Sequence, residues 1–247
     1  MSGHSKWATI KHKKGAADKA RAKIFAKVLR QVEVAAREGG SDMTSNATLR
    51  TMYQKARDAS VPTDTIERAI KRGTGELEGV RYEAMNYEGY APCGVAVYVE
   101  CLSDNRNRTG AEVRAMFSKN GGSIAEPGAV AWQFERKAVV MATGSADGDE
   151  VMLATLEAGA EDVETSDGLW HFTSPPTDLA RVRSAAEGLG LEVKSADLIM
   201  VATTSIVLDS ESDARKVLKV VDTIEEHDDV QAVYANFDVS EAVMAAL

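Results

Sequence analysis

Residues 138–200 read AVVMATGSADGDEVMLATLEAGAEDVETSDGLWHFTSPPTDLARVRSAAEGLGLEVKSADLIM, and their periodicity governs how the rest of the chain is arranged. Short β-rich runs alternate with amphipathic ones. The spacing predicts a strand over 138–142, a helix over 149–158, strands over 161–165 and 169–173, a helix over 176–188 and a strand over 191–200. In order they spell βαββαβ, a ferredoxin-like unit. Upstream, 82–90 and 94–102 carry strand period two, and 108–119 carries a helix with Ala111, Val113, Met116 and Phe117. Gly121-Gly122 then turns the chain into a hairpin-like stretch ending in Val130-Ala131-Trp132-Gln133-Phe134. Downstream, strand 205–209, helix 211–226 and strand 230–237 are what that middle zone lacks to complete an α+β unit. The βαββαβ unit is therefore read as an insertion.

The N-terminal zone has helical period instead. Ile24, Phe25, Val28, Leu29, Val32, Ala35 and Ala36 recur at three- and four-residue spacing, one stripe of a helix. At about 100° per residue, Lys19, Lys23, Lys27, Arg30 and Arg37 fall on the opposite side. That helix is expected to turn an apolar face inward and a basic face outward, and Gly39-Gly40 ends it. A second helix over about 46–59 packs Leu49, Met52, Tyr53 and Ala56. A third follows Val61-Pro62, with Thr63 or Asp64 as cap and Ile66, Ala69 and Ile70 inward. The expected fold is multidomain, α and α+β. A basic three-helix domain (1–76) precedes two ferredoxin-like α+β domains, the middle one (77–137 plus 204–247) and an acidic βαββαβ domain inserted in it (138–203).

Charge is distributed as unevenly as structure. Residues 1–30 hold nine Lys/Arg against one acid, Asp18, whereas residues 138–247 hold six against 22 Asp/Glu. The chain total of −9 conceals this polarity. An acidic body gives no reason to bind nucleic acid, but a basic end does. In Ser5-Lys6-Trp7-Ala8-Thr9-Ile10-Lys11-His12-Lys13-Lys14, cations stand beside an aromatic ring and several donors. Lysines gain from counterion release at phosphates, Trp7 suits base stacking, and His12 adds a charge or a hydrogen bond. Lys6, Trp7, Lys11, His12, Lys13, Lys14, Lys19, Lys23, Lys27 and Arg30 are thus candidate nucleic-acid contacts. The bland alternative is a solvated face with Trp7 docked on the bundle.

A second cluster, Asp104-Asn105-Arg106-Asn107-Arg108-Thr109, opens a helix. Arg106 and Arg108 at a helix N-terminus can hold phosphate or carboxylate, while Asn and Thr there also suit a plain N-cap; both readings stand. Glu225-Glu226-His227-Asp228-Asp229 reads as a solvated helix end.

Other classes find no support. Gly73-Thr74-Gly75 with Gly79 follows a helix, not a strand, so it is no dinucleotide fingerprint. Walker and GxSxG motifs are missing, Asp147-Gly148-Asp149 lacks calcium-loop spacing, and the four histidines are scattered. Catalytic residues, cofactors and metal ligands are not expected. Cys93 and Cys101 read as a reduced thiol pair, no apolar run reaches membrane-span length, and the N-terminus lacks a secretory h-region; a cytoplasmic monomer is expected.

The chain resembles the YebC family, which includes the mitochondrial translational activator of cytochrome oxidase. The residues are Gly3-His4-Ser5-Lys6-Trp7, Ile10-Lys11-His12-Lys13-Lys14, Asp18 with Arg21, Phe25-Ala26-Lys27, Asn46, Leu49, Pro62 and Ile66 to Ile70. Beyond them come Tyr87-Glu88-Gly89-Tyr90, the Asp104 to Thr109 loop, and Gly121-Gly122 with Val130 to Phe134. Val61 stands where Met is common, and Ala129 where Ser is expected. The resemblance implies three domains with one inserted in another, and a role as a bacterial transcription regulator or a ribosome-linked translation factor. The expectation is a non-enzymatic factor gripping RNA, ribosomal RNA above all, with DNA binding as the alternative and an enzyme of the interdomain cleft as a remote third. A basic protein partner is the expectation for the acidic domain.

Overall fold

Asn46 joins two helix ends with one side chain. Its Nδ2 donates to the carbonyls of Ala35 and Gly40 at 2.8 and 2.9 Å, and its Oδ1 accepts the Leu49 N–H at 2.9 Å. The first helix, α1 (Asp18–Gly39), is thereby closed and the second, α2 (Ala47–Asp58), opened by one residue. Gly40 supplies the left-handed step between them, at φ +80°. The computed structural model describes residues 18–166, 168–240 and 243.

The third helix, α3 (Thr63–Thr74), starts without a side-chain cap: Pro62, at φ −58°, sets its first turn, and Thr63 and Asp64 lie inside the helix rather than capping it. Val28, Val32, Ala35, Ala36, Leu49 and Ile66 form the shared core. At Gly73 α3 lies close against α1; a Cβ there would stand 2.3 Å from the Glu33 carbonyl oxygen. Glu33, 3% exposed, is held by Arg72 at 3.0 Å and Arg37 at 3.6 Å.

The middle domain follows with β1 (Glu83–Tyr90), β2 (Ala96–Ser103), α4 (Arg106–Lys119) and β3 (Ser123–Ala125). It resumes after the insertion with β8 (Ile206–Leu208), α7 (Glu211–Glu225), β9 (Val230–Ala235) and β10 (Phe237–Val239). Its main sheet is antiparallel in the order β3-β1-β2-β9, with Glu88 opposite Ala125 and Val99 opposite Val233. Val113 and Phe117 of α4 and Val217, Val221 and Ile224 of α7 share one core with Val97 and Val99. Strands β8 and β10 form a separate parallel pair. Helix α4 begins two residues earlier than its periodicity implies, because Asn105 Oδ1 caps it by accepting the Arg108 N–H.

The chain divides into two compact units, residues 135–201 and the remainder. The smaller holds most of β4 (Phe134–Thr143), then α5 (Gly148–Glu157), β5 (Asp162–Ser166), β6 (Leu169–Ser174), α6 (Leu179–Gly188) and β7 (Glu192–Ala202). Its order, β5-β6-β4-β7, is that of the ferredoxin-like βαββαβ unit. Ala138, Val140, Trp170, Phe172 and Val182 fill its core.

One local expectation is overturned. Residues 130–134 are not the arm of a hairpin: Val130 leads through a 3₁₀ turn (Ala131–Gln133) straight into β4. The buried Glu88 carboxylate takes the N–H groups of Gly128, Val130 and Ala131, which a paired strand would have used otherwise. Both cysteines are free thiols, Cys93 exposed and Cys101 buried, and burial beside Asp229 pushes the Cys101 thiol up to about 12.

Candidate nucleic-acid interface

The basic side of α1 is turned onto the end of α7. Lys23 donates to the Glu226 carbonyl, Lys27 to the Glu225 carbonyl at 2.8 Å, and Arg30 to the Asp228 carbonyl at 2.7 Å. The last carbonyls of a helix carry the negative end of its dipole and lack intrahelical partners, so cations placed there satisfy both needs. Lys23 also lies 3.5 Å from the Asp228 carboxylate, and Arg30 stacks over Tyr82 at 5.1 Å. This corrects one expectation and narrows another. The α1 face bearing Lys23, Lys27 and Arg30 is not a free outward surface, and the run Glu225 to Asp229, whose Glu226 and Asp228 side chains do remain exposed, is at its main chain the seat of those three cations.

Beneath the seat lies Asp229, 4% exposed. Its Oδ2 accepts from Ser103 Oγ (2.9 Å), Thr109 Oγ1 (2.7 Å) and Arg108 (2.8 Å), while Oδ1 faces Arg30 at 3.2 Å. Burial by itself would raise this carboxyl; the hydrogen bonds from Arg108, Thr109 and Ser103, with the Arg108 charge, overcome it and hold Asp229 at about 2. The Asp104 to Thr109 loop is built onto this carboxylate. Asn105 is the cap, and Arg108, its side chain still 44% exposed, is shared between Asp229 and Asp104, each at 2.8 Å. Arg106 is exposed, with no ion pair among the described residues.

His227 completes the corner. Its Nδ1 accepts the Asp229 N–H at 3.1 Å, so Nε2 carries the proton that it donates to Glu112 at 2.7 Å. A polar cleft of about 660 Å³ opens here, lined by Tyr82, Asp104, Arg108, Glu112, His227 and Asp228 among others. Its rim mixes both charge signs. Among the described residues no cluster of His, Cys, Asp and Glu is arranged to hold a metal ion, and no helix is long and apolar enough to cross a membrane.

Lys6, Trp7, Lys11, His12, Lys13 and Lys14 lie outside the described residues, as does the Lys19 side chain.

Two family models match the sequence: the TACO1/YebC N-terminal domain over residues 5–76, and the TACO1/YebC second and third domain over residues 82–237. The chain belongs to the TACO1/YebC family. A relative from Halothermothrix orenii, named "Probable transcriptional regulatory protein", is 53% identical over 247 residues, covering 99% of this chain and 98% of its own. One of the same name from Salinispora arenicola is 51% identical over the full length of both. The crystal structure of a conserved hypothetical protein from Aquifex aeolicus superposes with a TM-score of 0.86 at 42% identity, over 96% of this chain and 98% of that one.

Several motifs that carry the TACO1/YebC resemblance prove to be tied to one another. Glu88 of Tyr87-Glu88-Gly89-Tyr90 grips the loop before Trp132, and Tyr90 Oη donates to the Ala129 carbonyl at 3.3 Å. Gly89 admits Phe117 and the Ser123 carbonyl, both within 2.8 Å of where a Cβ would be. Sequence reasoning missed Glu88 and Asp229 as organisers. Strand 82–90 also carries Glu83 and Asn86, so no pattern set Glu88 apart. Nothing in an acidic run marked the second.

Proposed function

We propose that this TACO1/YebC chain is a non-enzymatic regulator of gene expression that binds nucleic acid, most of all RNA of the ribosome, through its basic N-terminal domain. The observation that carries this is what remains basic after the α7 contact is counted. Residues 1–75 hold sixteen Lys/Arg against seven acids. Lys23, Lys27 and Arg30 are committed to residues 225–229, and Arg37 and Arg72 to Glu33. Eleven cations stand outside those contacts, with Lys6, Lys11, Lys13, Lys14 and Lys19 concentrated at the N-terminus beside Trp7 and His12. That density favours phosphate through counterion release. Arg106 is a further contact in this reading; Lys23, Lys27, Arg30 and Arg108 are structural.

The acidic inserted unit, residues 135–201 with net charge −8, is kept off phosphate by repulsion and is suited to a basic protein partner. In this reading the chain acts in the cytoplasm as a monomer, without a cofactor. A second reading, DNA-binding transcription control, is favoured by the name those relatives carry, "Probable transcriptional regulatory protein". Co-sedimentation with ribosomes across a salt series tests the first. Association at low salt that is lost on Lys11→Glu, Lys13→Glu and Lys14→Glu together is the expected result. Association that survives those changes overturns it, and a promoter footprint resistant to excess competitor DNA favours the second reading.

A further inference from the structure

Trp132 is the most exposed large apolar side chain among the described residues, at 72%, although Val130 and Phe134 on either side are buried. Its exposure is built. Glu88 holds the Gly128, Val130 and Ala131 N–H groups at 2.6, 2.7 and 2.8 Å, three charge-assisted bonds to one buried carboxylate. The Ala129 carbonyl accepts from both Tyr90 Oη and Trp132 Nε1, which ties the indole back to the loop at 3.0 Å. On the far side, the Gln133 carbonyl accepts the Thr203 N–H at 2.8 Å, and the Gln133 side chain is held by Asn236 at 2.8 Å. A large ring is thus fixed in one orientation, its polar edge satisfied and its surface turned to solvent.

We propose that Trp132 is a stacking platform for an unpaired base of single-stranded RNA. Because the indole N–H is already spent, recognition is left to the ring face, and base stacking needs nothing more. The composition of the loop argues against an apolar protein partner. Ile24, Leu77, Val80, Met152, Leu153, Leu156 and Val207 are the other large apolar residues in the exposed class, and none belongs to this loop. Aromatic anchors of protein interfaces cluster with other anchors, and residues 126–135 hold no exposed large apolar side chain besides Trp132. The strand pairing links one exposed cation to the partners of this loop. Exposed Lys119 ends α4 four residues before Ser123, which pairs with Tyr90, the residue bonded to Ala129.

The platform rests on the RNA-binding reading above, and one titration separates the two. The full chain, Trp132→Ala, Trp132→Phe, and the triple Lys11→Glu, Lys13→Glu, Lys14→Glu variant are each titrated with fluorescent 12-nucleotide oligouridylate at several salt concentrations. Trp132→Ala is expected to weaken binding about ten- to hundredfold with an unchanged slope against salt, since stacking releases no counterions. Trp132→Phe, which keeps a ring, is expected to stay within about threefold of the parent. Thermal melting unchanged by either substitution shows the fold intact, as the exposure of the ring implies. Parent-like binding by Trp132→Ala, or a Phe variant as weak as the Ala variant, overturns the platform. If the lysine variant loses binding in that case, the RNA reading stands without it. A parent chain that does not bind the oligomer overturns the platform, while ribosome co-sedimentation decides the RNA reading separately.

Discussion

Lys27 and Glu225, 198 residues apart in the chain, meet at 2.8 Å, ammonium to main-chain carbonyl. With Lys23 and Arg30 on the same carbonyl-rich helix end, this makes one side of α1 a seam between the helical domain and the middle domain. Cations there work against fixed dipoles that no titration of neighbouring carboxylates removes.

Lys23→Ala with Lys27→Ala is therefore expected to cost about 1–2 kcal/mol and to speed amide hydrogen exchange in α1 and in residues 225–229. The salt slope of polyanion binding should not change. A slope shallower by about two would place these lysines on phosphate instead.

Asp229 ties stability to acid. Its folded value of about 2 lies below the ordinary value of 3.8, so its contribution is fully present above about pH 4 and fades as pH falls toward 2. The shift corresponds to roughly 2 kcal/mol across that window. Asp229→Asn, which leaves Arg108 and Arg30 facing an amide, is expected to destabilise the chain by about 2–4 kcal/mol at pH 7. It should also flatten the acid limb in urea melts taken from pH 5 to pH 2. An acid limb as steep as the parent's would place the titrating group elsewhere.

Gly73 sets the distance between α1 and α3. A methyl group there collides with the Glu33 carbonyl oxygen, which is backbone and cannot swing away. Gly73→Ala is expected to lose about 1–3 kcal/mol despite its better helix propensity, read as a lower melting midpoint. A gain in stability would mean that the crossing relaxes.

The sequence made the helices, the βαββαβ unit and its insertion legible, because periodicity and turn residues report on burial. In α1, Val28, Val32, Ala35 and Ala36 are buried as the stripe requires, whereas Ile24, expected on the same stripe, is exposed. What periodicity could not carry was the partner of a polar face. Lys23, Lys27 and Arg30 share a side of α1 whether they face water or a helix end, and only the tertiary fold brings residues 225–229 to them. The Asp104 to Thr109 loop was ambiguous for the same reason: its arginine needed an anion, and the fold supplies Asp229 from 121 residues away. The hairpin expected near Val130 failed because a buried carboxylate on β1 competes for the same N–H groups.

That competition makes Glu88 the residue on which the Trp132 loop depends. Burial would raise this carboxyl, yet the N–H groups of Gly128, Val130 and Ala131 hold it below its ordinary value, so the charged form is the one the loop requires. Its stabilising effect is present above the ordinary Glu range and fades as pH falls below it. Glu88→Gln replaces an all-acceptor group with one whose amide hydrogens oppose a backbone N–H, at a cost of about 1–3 kcal/mol. The expected signature is a urea midpoint lowered at pH 7, converging on the parent's at acid pH, with a weakened near-ultraviolet dichroism band as Trp132 loses its fixed setting. A variant that keeps both the midpoint and the band would show the loop held by Gln133 and Tyr90 without the carboxylate.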